Sequence, residues 1–198
     1  RWNAVIRPGF FLNTSAYYSI YRFGEKFEIS GKRKSGQFSG SGLSEFSLKG
    51  DADLSLSAHS LKFGYQWSHQ TFDPELTGFT GDTTTYLSSA LPSSHAVSLS
   101  GYAEDEFRVF PRLMLNTGLR LQVYRVPGKT RVFPEPRISA AYRAGSHVDI
   151  KFSAQKITQT IHLLTNNALN MPTDLWVSAG EKVLPSGVWL LDAGIRYE

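Results

Sequence analysis

A two-residue alternation over residues 45–68 constrains this chain more than any other feature. Phe46, Leu48, Gly50, Ala52, Leu54 and Leu56 stand on one phase, and Glu45, Ser47, Lys49, Asp51, Asp53 and Ser55 on the other. Successive side chains of a strand point to opposite faces, so this split describes a strand with one apolar and one charged face. After Ala58-His59-Ser60 the alternation resumes with Leu61, Phe63, Tyr65 and Trp67 against Ser60, Lys62, Gly64, Gln66 and Ser68, which predicts a β-hairpin. The pattern returns at Leu113, Leu115, Thr117, Leu119, Leu121 and Val123 against Met114, Asn116, Gly118, Arg120, Gln122 and Tyr124. It returns again at Val148, Ile150, Phe152 and Ala154 against Asp149, Lys151, Ser153 and Gln155. Arg120 inside such a strand is costly in a dry core if unpaired, but costs little against a wet lumen. Two stretches resist the pattern. Leu12 to Tyr21 is mixed, and Ala103, Asp105, Phe107 and Val109 place an acid on an apolar face, so each is expected to carry a bulge or a register change.

These strands suit a membrane. No run of eighteen apolar residues exists, which excludes a transmembrane helix but not a barrel, whose strands need only alternate. Charged residues are 19% and aromatics 13% of the chain, a balance that fits strands with one greasy face. With 198 residues the chain has room for roughly nine or ten spanning strands. There are no cysteines, so disulfides, thiol catalysis and cysteine-based zinc sites are ruled out. The net charge of +4 is too small and too dispersed to read as a nucleic-acid footprint; the one basic cluster, GKRKSG at 31–36, reads as a solvated loop tip. The opening RWNAVI lacks the features of a signal peptide, and the expectation is a piece cut from a longer chain.

The connections carry the strongest argument from residues alone. Short ones are expected at Arg7-Pro8-Gly9, Ala58-His59-Ser60, Phe110-Pro111-Arg112 and Ala144-Gly145-Ser146, and long ones at about 24–42, 72–95, 125–134 and 161–186, alternating strictly. Outer-membrane barrels sort their loops in this way, with short turns periplasmic and long loops extracellular. The segments 43–57, 96–109 and 113–124 are long, as spanning strands must be. Tyr65 and Trp67 are expected at one interfacial girdle, and Phe11, Phe107, Phe110 and Tyr142 at the other. The resulting fold class is all-β: an antiparallel transmembrane β-barrel, with residues 1–198 as a single partial domain.

Sites of chemistry are sparse. The five histidines at 59, 69, 95, 147 and 162 lack zinc-motif spacing, and Glu104, Asp105 and Glu106 alternate between faces, so they are not spaced as a catalytic pair. Asp73-Pro74-Glu75 and Gly81-Asp82 are a weak calcium signal in a loop. No phosphate cradle or nucleophile elbow is present, so neither an enzyme nor a cofactor is expected. The connection 161–186 is apolar for an exposed loop and combines Asn166, Asn167, Asp174 and Trp176, residue types that either grip a ligand or pack the loop over a rim.

The run YAEDEFRVFPRLMLNTGLRLQVY at 102–124 resembles a strand pair of TonB-dependent outer-membrane receptors. PEPRISAAYR at 134–143, IHLLTNNALNMPTDLWV at 161–177 and HSLKFGYQWSHQTFDP at 59–74 look like neighbouring elements of the same barrel, in the subgroup with a carboxypeptidase-regulatory-like domain ahead of the plug. The resemblance implies a plugged barrel of about twenty-two strands that imports a scarce siderophore, glycan or peptide with energy from the inner membrane. It also implies outer-membrane lipid and the TonB complex as partners, the latter through an N-terminal part, with a surface lipoprotein as a further candidate and no nucleic acid. The plug and the TonB-contacting segment are not recognisable in these residues. Asp51, Asp53, Arg120, Lys151 and Gln155 are expected to line the lumen, and Asn166, Asn167, Asp174, Trp176 and Arg120 to meet ligand. Two other readings stay open at this point: a structural or adhesive barrel without active transport, and a soluble carbohydrate-binding β-sandwich.

Overall fold

The computed structural model describes residues 1–29, 35–73, 76–80, 85–90, 92–166 and 173–197. Among them every regular element is a strand: β1 (Trp2–Arg7), β2 (Phe10–Ile29), β3 (Ser35–Ser55), β4 (His59–Asp73), β5 (Leu76–Thr80), β6 (Thr85–Ala90), β7 (Ser94–Phe110), β8 (Leu113–Val126), β9 (Lys129–Arg143), β10 (Val148–Gln159), β11 (Ile161–Asn166), β12 (Thr173–Ser178) and β13 (Ser186–Tyr197). Nine of them form one antiparallel wall in the order β1-β2-β3-β4-β7-β8-β9-β10-β13, with β5 and β6 on its β3 side and β11-β12 as a separate hairpin. The nine strands match the number expected from length. No second large sheet faces this wall among the described residues, which removes the sandwich reading.

Hydrophobic patterning explains the wall's two surfaces. Following the register, Leu48 meets Trp67, Trp67 meets Leu99 and Leu99 meets Val123, so the apolar phases of four strands lie on one face. Phe63, Leu119 and Leu121 on that face remain 42–46% exposed. A large uncovered apolar face is expected of a sheet whose solvent on that side is lipid.

Of the two stretches that resisted the pattern, the first keeps regular register and the second carries a register shift at Val109. β2 pairs with β3 without interruption from Phe10↔Leu54 to Ile29↔Ser35, and the mixed signal arises because Tyr17 and Tyr21 occupy the polar face while Tyr18 occupies the apolar one. β7 and β8 pair evenly past Asp105, with a shift only between Arg108 and Phe110. Asp105 therefore stays on the apolar face, where its Oδ2 lies 2.7 Å from His59 Nδ1.

Several loop expectations need correction. The connection expected at 125–134 is a two-residue turn, Pro127-Gly128, between β8 and β9. Proline presets the first turn position and Gly128 takes φ of 76°, a pairing that reverses the chain at once and breaks the strict short-long alternation. The span 24–42 is mostly strand, since β2 continues to Ile29 and β3 begins at Ser35; 72–95 contains β5 and β6, and 161–186 contains β11 and β12. His59 and Ser60 open β4, so the turn before it is 56–58. Residues 31–34, 74–75 and 81–82, with most of the basic cluster and the calcium signal, lie outside the described residues. What survives is one rim where every connection is short. Phe110 and Tyr142 meet edge to face there at 6.4 Å, and Phe46 and Trp67 do so higher up at 6.0 Å. Phe11 leaves this girdle, because its partner Asp53 places it on the polar face.

Candidate functional site

The polar face is organised in rows that cross the strands. One row runs Asn13, Asp51, Gly64, Tyr102, Arg120 and Glu135 over β2, β3, β4, β7, β8 and β9. The next runs Asp53, Lys62, Glu104, Gly118, Arg137 and Gln155, ending on β10. Arg120, Asp51, Asp53 and Gln155 therefore share this face, as does Lys151, opposite Ala141.

A glycine in the middle of each row lets distant side chains join. Neighbouring strands lie about 4.8 Å apart, and an intervening side chain would block any contact across two spacings. Gly64 leaves room for the Tyr102 ring, whose hydroxyl donates to Asp51 Oδ1 at 2.7 Å from two strands away. Gly118 leaves room for the Arg137 guanidinium to donate to Glu104, again across two strands. A Cβ built on Gly118 would stand 2.6 Å from Glu104 Cγ, so the bridge requires glycine. Lys49 Nζ pairs with Asp51 at 3.1 Å, and Arg120 donates to Ser100 Oγ at 3.0 Å while facing Glu135 at 3.9 Å. Lys49, Ser100, Tyr102, Glu104, Arg120 and Arg137 line a groove of about 240 Å³ with Lys62 and Gln66. Four cations, Lys49, Lys62, Arg120 and Arg137, thus face one carboxylate, Glu104. Three of them are held by carboxylates at 4 Å or less, Lys49 by Asp51, Arg120 by Glu135 and Arg137 by Glu104, so the groove is mildly basic and rich in fixed hydrogen-bonding groups.

Above the charged rows the face changes character. Ser47, Ser68 and Ser98 form a buried hydroxyl row, and Gln122 donates to Ser98 Oγ at 3.0 Å. Higher still it turns apolar, where Phe72, Ala96 and Tyr124 pack with Ala179, flanked by Leu43, Val126, Phe133, Ile161 and Trp176. The β11-β12 hairpin lies across this collar, with β12 against β3, β4 and β7. The Trp176 ring meets Tyr21 edge to face at 5.7 Å. Trp176 thus serves the packing of the hairpin onto the wall. Asn166 and Asp174 fall in the hairpin strands β11 and β12, and Asn167 lies outside the described residues. Among the described residues, Gln70 Oε1, His162 Nε2 and Trp176 Nε1 are buried at this junction without a hydrogen-bond partner.

The residue-level reading missed Glu135, which is 4% exposed and accepts from the Thr158 backbone N–H at 2.7 Å. Its only signal was its place between Pro134 and Pro136. Arg137 and Tyr102 were missed because cross-strand rows depend on register, which one strand's pattern does not contain.

A family model described as TonB dependent receptor-like, beta-barrel matches residues 2–198. No curated protein matches the chain. Among solved structures, the siderophore receptor PirA from Pseudomonas aeruginosa is similar with a TM-score of 0.56 and 16% identity, over 99% of this chain and 41% of that one. At that identity the likeness shows the fold alone, and this chain spans well under half of that receptor's length. Pattern, wall and family match agree: the chain belongs to the TonB-dependent receptor-like β-barrel family of the bacterial outer membrane, and forms part of such a barrel.

Proposed function

We propose that this chain forms part of the wall of an outer-membrane receptor that imports a scarce ligand, a siderophore, glycan or peptide, with energy delivered through the TonB complex. The apolar face meets lipid, and the polar face lines the lumen with Asp51, Asp53, Arg120, Lys151 and Gln155 along it. One observation supports this most: the continuous polar face, where several charges are paired inside the wall, such as Arg137 with Glu104 and Lys49 with Asp51. Such a surface offers hydrogen bonds along a pathway without a deep electrostatic trap for a passing solute. The β11-β12 hairpin stands at the mouth, on the rim opposite the short turns.

The test is growth of a strain deleted for the full-length receptor on a ferric siderophore as sole iron source, and on an oligosaccharide or a peptide as sole carbon or nitrogen source. A parallel strain lacks a working TonB complex. One nutrient is expected to fail in both strains. If both strains grow normally on all three, active transport is wrong and the plain structural barrel takes its place.

A further inference from the structure

The β9–β10 seam is unlike the others in the wall. Their register runs Asp149↔Arg143 to Gln155↔Arg137 and stops there, although β9 goes on pairing with β8 up to Lys129↔Val126 and β10 goes on pairing with β13 up to Gln159↔Ser186. Continuing the same register would set Lys156 opposite Pro136 and Thr158 opposite Pro134. The backbone N–H of Arg143 points to β8 and that of Ala144 to β10. Even-numbered residues of β9 therefore face β10, and Pro134 and Pro136 are the two that have no N–H to give. The β8–β9 ladder uses odd-numbered residues and is untouched.

Glu135 replaces what the prolines remove. Its side chain takes the Thr158 N–H at 2.7 Å, with Arg120 on its far side. Two residues beyond Thr158 the mouth hairpin begins: Thr160 O accepts the Ala179 N–H at 2.7 Å, and Arg131 donates to Gly180 O at 3.0 Å. The top of β10 and the base of the hairpin are thus attached to β9 by side chains instead of a backbone ladder.

We propose that Glu135 is a clasp: it holds the top of β10, and with it the β11-β12 hairpin, against the wall, and its loss frees the hairpin while the lower wall stays zipped. A ladder melts only as a cooperative unit, whereas one carboxylate can let go alone. Glu135 is a positioning residue in this sense, acting on the mouth through Thr158. The assignment relies on the proposed transport reading only in calling that end the mouth.

The test is backbone hydrogen exchange of the full-length receptor in lipid vesicles. Glu135→Ala is expected to speed exchange at residues 161–166 and 173–178 on the order of ten- to hundredfold, with the Leu113–Arg120 segment of β8 unchanged. Glu135→Gln keeps an acceptor for Thr158 and is expected to stay within about threefold of the parent. Adding Pro134→Ala restores a backbone donor opposite Thr158 and should return part of the protection. Equal hairpin exchange in Glu135→Ala and parent overturns the clasp, as does acceleration spread evenly over the wall. Should Glu135→Ala fail to assemble, Glu135→Asp serves instead, since it keeps the charge and shortens the reach; unchanged hairpin exchange in that variant overturns the proposal equally. The readout does not depend on import, so a failed growth test leaves it intact.

Discussion

The β3–β4 and β9–β10 seams join neighbouring strands of the same wall, yet they are held differently. β3 and β4 pair at every residue from Ser55↔Ser60 to Gly42↔Asp73, whereas β9 and β10 pair only from Arg143↔Asp149 to Arg137↔Gln155. Neither hydrophobicity nor charge separates them. Two prolines aimed at the neighbouring strand do, and they teach that a barrel can set the local strength of its wall by withholding backbone donors and returning a side chain where attachment is needed.

Placing a proline in the complete seam should produce the largest effect. Gln66→Pro in β4, between Lys49 and Ser100, strands a ladder carbonyl and is expected to cost roughly 2–7 kcal/mol, seen as loss of heat-modifiable migration; a folded barrel of parental stability would show that wall ladders tolerate gaps anywhere. Next comes the contrast between faces. Leu119→Arg puts a charge on the apolar face and is expected to destabilise the receptor by about 2–4 kcal/mol in urea titrations from vesicles, while Asn116→Arg on the polar face, opposite Glu106, changes little. Equal costs for the two would mean that the faces are wrongly assigned.

A smaller effect is expected from the bridge over Gly118. A double-mutant cycle on Arg137→Met and Glu104→Gln should give a coupling of about 1 kcal/mol, modest because the guanidinium is partly exposed. Zero coupling would reduce the row to a geometric coincidence. The smallest concerns the weak seam, where Pro136→Ala is expected to shift stability by about 0.5–1 kcal/mol or less. Its sign is informative: the restored N–H should lengthen the β9–β10 ladder and slow exchange at Lys156, and faster exchange there would argue that the prolines stiffen the seam instead.

Much of this was legible beforehand where a strand has a single clean phase. The hairpin of β3 and β4 and the strand β8 follow directly from alternating Leu, Phe and Trp against Ser, Lys and Asp. Tyrosines hid the phase of β2, because their apolar rings and polar hydroxyls suit either face. The loop between β8 and β9 was overestimated because the polar and proline-containing segment around Pro127 and Pro134 reads as irregular, although only Pro127-Gly128 turns. For Trp176 the residue types left ligand contact and packing over the rim open, and its ring packs on Tyr21.

The sequence by itself determined that the chain forms long antiparallel strands with one face for lipid and one for water, because side-chain alternation is a local property written into each strand. Only the tertiary structure decided which residues meet across the wall: Tyr102 with Asp51, Glu104 with Arg137, Glu135 with Thr158. Those contacts depend on register between strands distant in sequence, and register is settled jointly by all the pairings at once.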